Sequence, residues 1–277
     1  LPKDKISEEI AEIRGVSRDH DCVSPSSHSA FKTPIQMMHF IQKLRELSEG
    51  KPVGFKLCIG QPWQFMSIVK AMLHTQIIPD FIVVDGSEGG TGAAPIELID
   101  NMGVPLREGL LFVHNTLVGA GLRDQIKIGA SGKLVSAFDI ASTMAIGADW
   151  VNSARGFMFA VGCIQAQSWH TNQCPVGVAT QDKERQKAIH VPTKAERVLH
   201  FHDNTLKALS EMIASAGLKH PAEIKARHLA QRINDREIRN YAQLHFWLKD
   251  GELLSCENKD EENFYFRMWN MSKLEHF

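Results

Sequence analysis

The stretch FIVVDGSEGGTGAAP, residues 81–95, decides the reading of the fold. Phe81 to Val84 is a short apolar run of strand character that stops at Asp85. A loop with Gly86, Gly89, Gly90 and Gly92 follows. Glycines at a strand end let another group come close to the backbone. Three more short runs share this plan: 53–58 leads into IGQP, 126–130 into SGKL and 149–153 into ARG. Helical patterns come directly after these three, at 62–74, 134–147 and 157–168, and after a longer connection at 107–122. Short strands alternating with amphipathic helices predict βα units around a parallel sheet.

Around this centre, Thr33 and Pro34 open a helix over 34–49 that Gly50 ends. Residues 169–192 read as irregular, and 194–217 predict a helix stopped by Gly217. The tail 222–277 reads as further helix, rich in aromatic residues that would pack on the main unit or on another subunit.

Bulk properties narrow the function classes. A chain of 277 residues with 43% hydrophobic and 23% charged residues suits one or two soluble domains. Its net charge of −1 suggests no nucleic-acid partner and no anionic membrane. No apolar run is long enough to span a bilayer. The N-terminus LPKDKISEEI lacks the apolar core of a secretory signal, and Leu1 in place of Met hints at a processed or truncated chain. Five scattered cysteines without a CxxC pair predict reduced thiols and a cytoplasmic location.

In parallel α/β proteins, ligands sit at the carboxyl ends of the strands. IGASGKL puts Ser131 and Gly132 there, and WVNSARGF puts Ser153, Ala154 and Arg155 there. Backbone N–H groups in such turns bind phosphate, and Arg155 adds a charge-assisted contact. The plainer reading is that small residues make tight βα turns. Neither loop is a GxGxxG fingerprint or a Walker A loop. Lys56, inside FKLCIG, is costly in an apolar strand unless its charge is used, or unless it reaches solvent. Asp85 and Glu88 could ligate a metal, act as a base or pair with Lys56, or simply cap the loop. His28, in SPSSHSAF, is a substrate contact or an exposed loop residue, and His114 is a core or surface residue.

In this order, GSEGGTGAAP, IKIGASGKL, GADWVNSARGFMFAVGCIQ and NQCPVGVATQ resemble the FMN-binding domain of glutamate synthase. The likeness is strongest to short, stand-alone FMN-binding glutamate-synthase-like proteins and covers about residues 6–225. It implies a TIM (β/α)8-type barrel, with the four strand units here matching its C-terminal four. Residues 1–190 would be that part of the barrel and 191–277 a helical extension. It implies FMN as cofactor and reductive amination of 2-oxoglutarate through 2-iminoglutarate, in a chain without its own glutaminase domain. Position by position, Lys56 matches the lysine near the flavin ring, and Gly89, Gly90 and Thr91 the loop beside it. Ser131, Gly132, Ser153, Ala154 and Arg155 match the phosphate-holding loops. Lys56, Glu88 and His28 become the catalytic candidates, with Ser24 and Pro25 beside His28. Asp85 and Glu88 then belong to the flavin-side loop rather than to a metal site.

The chain departs from the family at two points. Large members hold a [3Fe–4S] cluster through three cysteines, one of them in a CPVG segment. Only Cys174 matches, Trp169 and Ala179 stand at the other positions, and Cys163 fits the preceding apolar helix. One thiolate cannot hold such a cluster, so none is expected. Four strand units also make only half a barrel, which exposes two sheet edges. The remaining half is expected from a longer chain or a partner subunit. The alternatives are a flavin oxidoreductase acting on another substrate, or a truncated, non-catalytic subunit.

Overall fold

The computed structural model describes residues 1–89, 94–255 and 262–277. Its strands are β1 (Gly54–Leu57), β2 (Phe81–Asp85), β3 (Lys127–Ser131), β4 (Trp150–Asn152), β5 (Ala230–Asn234) and β6 (Glu237–Asn240). Its helices run in chain order: α1 (Glu8–Arg14), α2 (Pro34–Leu47), α3 (Pro62–Thr75), α4 (Leu106–Gly119), α5 (Ala137–Ala145), α6 (Ala154–Val161), α7 (Lys183–Gln186), α8 (Val191–Ser215), α9 (Tyr241–Leu244) and α10 (Phe264–Met271).

Strands β1 to β4 form one parallel sheet in chain order. Side chains alternate across a strand, so the pairing register sorts the residues into two faces. Ile82, Val84, Ile128 and Ala130 are fully buried on the helix-covered face. They join a single core cluster with Phe65, Met66 and Val69 of α3 and with Leu110, Val113 and Leu117 of α4. Burying each such large side chain contributes about 1.5–3 kcal/mol.

On the opposite face Lys56, Val83, Gly129 and Trp150 are in register. Here glycine is a matter of space. A Cβ on Gly129 would lie 2.5 Å from the Trp150 indole, which is also edge-on to Phe81 at 6.0 Å. Phe81, Val83 and Trp150 are only half-buried on this side.

Two carboxylates fix the amino ends of the strands. Asp80 accepts from the Val53 N–H at 2.7 Å and pairs with Arg45 at 2.9 Å. Asp149 accepts from the Ile128 N–H at 2.8 Å and pairs with Arg123 at 2.9 Å. These anchors lie at the end of the sheet away from the glycine loops, the end that carries stability in βα folds.

Three expectations are corrected. The helix expected at 157–168 runs over Ala154–Val161, because Gly162 at φ +119° closes it, and Cys163 therefore lies in the following loop. The long helix begins at Val191, with a proline in its first turn. The tail is not wholly helical: β5 and β6 form an antiparallel hairpin within it. Leu209 and Ile213 of α8, with Tyr241, Leu248, Phe266 and Met268 of the tail, join the same core cluster.

Candidate functional site

A cavity of about 870 Å³ opens at the carboxyl ends of β2, β3 and β4. That size is within the usual range for small-molecule and cofactor sites, about 300–1,000 Å³. Its floor is the last level of the sheet, where Asp85, Ser131 and Asn152 are in register. The walls come from the loops after these strands, from residues 163–169 and 174–181, and from Lys5.

Lys56 rises from the level below and donates to Asp85 at 2.6 Å. The pair places an ammonium at the cavity floor, so Lys56 answers its cost in the strand with an ion pair and a polar outlet. The two phosphate-loop candidates meet across the floor. Gly132 follows β3, Ala154 and Arg155 open α6, and all three line the cavity. The Ser153 hydroxyl donates to the Leu134 carbonyl at 2.7 Å and so binds the two loops together. The first-turn N–H groups of α6 have no intrahelical partner, which suits an anion.

Gly132 is required by close approach. A Cβ there would lie 2.9 Å from Glu88 Oε2 and 2.9 Å from Leu106 Cβ. The Glu88 carboxylate is wedged between Gly86, Gly132 and the start of α4, where Oε1 accepts from the Leu106 N–H at 2.8 Å. Its Oε2 is buried and has no hydrogen-bond partner among the described residues. A carboxylate at a helix N-terminus is favoured by the helix dipole.

The structure thus brings Lys56, Gly89, Ser131, Gly132, Ala154 and Arg155 to one cavity. Glu88 and Ser153 sit directly behind it rather than in its lining. His28 is not brought there. It is exposed, stacks on Phe31 at 4.5 Å, leans on Phe40, and its Nδ1 accepts from the Ala30 N–H. Gly90 and Thr91 lie outside the described residues. Among the described residues, no three His, Cys, Asp or Glu side chains converge as a metal site.

Sequence reasoning missed four contributors. Lys133 and Asp100, both in the lining, pair at 2.6 Å and link the loop after β3 to the segment before α4. Lys5 reaches the cavity from the N-terminal segment, and its hydrogen-bond partners lie 164 and 174 residues away. Cys163 lines the cavity because α6 stops short of it, and the C-x5-C-x4-C spacing of the resembled family's cluster ligands falls on Cys163, Trp169 and Cys174, so two thiols rather than one stand at those positions. Only the lysine of SGK could have been inferred locally, from its place in a phosphate-type loop.

Residues 1–219 match the family model described as a conserved region in glutamate synthase. A glutamate synthase large subunit-like protein of Bacillus subtilis (YerD) is 44% identical over 236 residues, 85% of this chain and 45% of that protein. The archaeal glutamate synthase [NADPH] of Methanocaldococcus jannaschii is 28% identical over 86% of this chain and 47% of its own length. Ferredoxin-dependent glutamate synthase 2 of Synechocystis is 32% identical over 76% of this chain and 13% of its own length. The chain therefore spans about half the length of the first two relatives. The recombinant flavin-binding domain of baker's yeast flavocytochrome b2 overlays with a TM-score of 0.43 at 14% identity, covering 78% of this chain and 41% of that one. That likeness is too loose to bear on function. Among the described residues, no helix is long and apolar enough to cross a membrane. With a family-model match over most of its length, the chain belongs to the glutamate synthase family.

Proposed function

We propose that this chain forms the phosphate-side part of an FMN site in a glutamate-synthase-type oxidoreductase that reduces 2-iminoglutarate, formed from 2-oxoglutarate and ammonia. The observation that carries this reading is the meeting of Lys56, Gly132 and Arg155 at one cavity beyond the strand ends. The residues present fit FMN. Close packing of Gly132 on Glu88 and Leu106 leaves its backbone at the cavity, and the α6 N-terminus with Arg155 and Lys133 supplies donors for a phosphate. Bound FMN supplies the two-electron reduction of the imine.

The chain's own residues then divide the work. The turns at Ser131–Gly132 and Ser153–Arg155 bind phosphate, with the Ser153 hydroxyl keeping them in register. Lys56, oriented by Asp85, holds a positive charge at the sheet level beside the ring and an anionic substrate. Gly89, which lines the cavity, lies on the substrate side. Glu88 acts as a positioning residue, fixing the β2 loop to the start of α4. This role replaces the reading of Glu88 as a direct catalyst, and the exposed, stacked His28 has none in the proposal.

Strands β1 and β4 each have one sheet neighbour among the described residues, and the Phe81–Trp150 face is half-open. Unpaired edges and a half-open apolar face support completion of a (β/α)8 barrel by further strands, from the same protein or from a partner. FMN titration of the complete protein, followed by flavin absorption, tests the proposal. Stoichiometric binding that Arg155→Ala weakens is expected. Absence of FMN binding by the wild-type protein would overturn it.

A further inference from the structure

The turns after β3 and β4 each present a cation to the cavity, and the two cations differ in state. Arg155 makes no ion pair among the described residues. Lys133 is already occupied. Its Nζ donates to both carboxylate oxygens of Asp100, at 2.8 Å and 2.6 Å. Asp100 thus gives Lys133 the charge-assisted contact that a phosphate would give.

The backbone at both residues is unusual. Asp100 has φ +64° and Lys133 φ +49°, a left-handed region that non-glycine residues enter at a cost. Among the described residues, seven non-glycine residues have positive φ, and four of them, Asp100, Lys133, Gln165 and Gln167, line this one cavity. Backbone strain gathered in one place points to a geometry that is used.

The two partners differ in freedom. The Asp100 N–H donates to the Ser87 carbonyl at 2.9 Å. The segment that carries it is held at its start by the Trp169 indole N–H, which donates to the Ala94 carbonyl at 3.0 Å. Asp100 is therefore fixed without Lys133, whereas Lys133 ends in a flexible stem. The Lys133 and Asp100 side chains are 37% and 53% exposed, so the pair separates at small cost.

We propose that Asp100 is a stand-in anion for the ligand's phosphate, holding Lys133 at the cavity until a phosphate-bearing ligand takes the ammonium over. This deepens, and rests on, the reading of the cavity as an FMN site. Asp100 competes with the phosphate and so lowers its affinity. A phosphate dianion wins the ammonium from one carboxylate, and a ligand without such a charge gains nothing from the exchange. Asp100 acts only through Lys133 and is a positioning residue.

The test is a double-mutant cycle on the complete protein, read by flavin titration. Asparagine keeps the size of Asp100 and tolerates its left-handed backbone, so Asp100→Asn removes the charge and spares the fold. Asp100→Asn is expected to tighten FMN binding about tenfold, and Lys133→Met to weaken it about tenfold. With Lys133→Met in place, Asp100→Asn is expected to change FMN affinity by less than about twofold, because Asp100 then holds no ammonium. Riboflavin, which lacks the phosphate, is expected to bind wild type and Asp100→Asn alike. FMN binding that Asp100→Asn leaves unchanged or weakens overturns the proposal. Tightening that persists beside Lys133→Met, or an equal gain for riboflavin, also overturns it, since either reports a general change of field. If the wild-type protein binds no FMN, the flavin reading falls separately, and the same cycle with inorganic pyrophosphate, read by calorimetry, decides the role of Asp100. Absence of pyrophosphate binding by every variant would overturn that role too.

Discussion

His114 gives the fold a pH sensitivity whose size follows from its surroundings. The ring sits on α4 against Gly147, where a Cβ would lie 2.4 Å from its Nδ1, and edge-on to Trp247 at 5.8 Å. Its Nδ1 accepts from Arg123 Nε at 3.1 Å, while the same guanidinium binds Asp149 and the carbonyls of Ile126 and Gly147. Protonation would remove that acceptor and set a second cation against the guanidinium inside the fold. Burial first, and Arg123 second, lower the His114 pKa from 6.5 to about 4. The unfolded chain therefore binds the proton more readily than the folded one. The stability from neutral His114 is fully present above pH 6.5 and falls as pH drops toward 4. At about 1.4 kcal/mol per unit, a gap of about 2.5 units amounts to about 3 kcal/mol in full, of which about 2 kcal/mol is lost by about pH 5. Urea unfolding of wild type and His114→Gln at two pH values isolates this term, because glutamine keeps an acceptor for Arg123 but does not titrate. The wild-type stability is expected to fall relative to the variant by about 2 kcal/mol between about pH 7.5 and about pH 5. A difference between the two proteins that stays constant over that range would refute the reasoning.

Other perturbations address the cavity. Arg155→Ala is expected to weaken FMN binding about tenfold or more by removing a charge-assisted contact, as measured by flavin titration. Gly132→Val puts a side chain where 2.9 Å separates it from Glu88 and Leu106, so a loss of about 1–3 kcal/mol in urea unfolding is expected together with loss of FMN binding. Lys56→Met removes the ammonium that faces Asp85 and is expected to slow substrate-dependent flavin reoxidation while FMN remains bound. Asp80→Ala unties the Val53 N–H and Arg45 at the far end of the sheet, and a cost of about 1–3 kcal/mol without change in flavin affinity is expected.

The four parallel strands were legible because each is a short apolar run that stops at a glycine-bearing loop, and the cavity lies at those stops. Lys56 was legible as a charge out of place in an apolar strand. The end of α6 was missed because the pattern FMFAVGCIQ stays apolar past Gly162, whose positive φ breaks the helix. The hairpin was missed because every residue of β5 is exposed, which leaves no alternation to detect. Lys5 was missed for a different reason: the segment PKDKI carries no motif, and the partners of Lys5 lie 164 and 174 residues away. The role of Glu88 depends on contacts with Gly132 and Leu106 that no local pattern encodes.

The central claim is that the Lys56–Gly132–Arg155 cavity holds a flavin used for glutamate formation. Its most direct test is to reduce the flavin on the complete protein anaerobically and follow its absorption after adding 2-oxoglutarate and ammonia. The claim requires reoxidation that depends on both additions, with glutamate formed in step. Flavin that stays reduced with both present would contradict it.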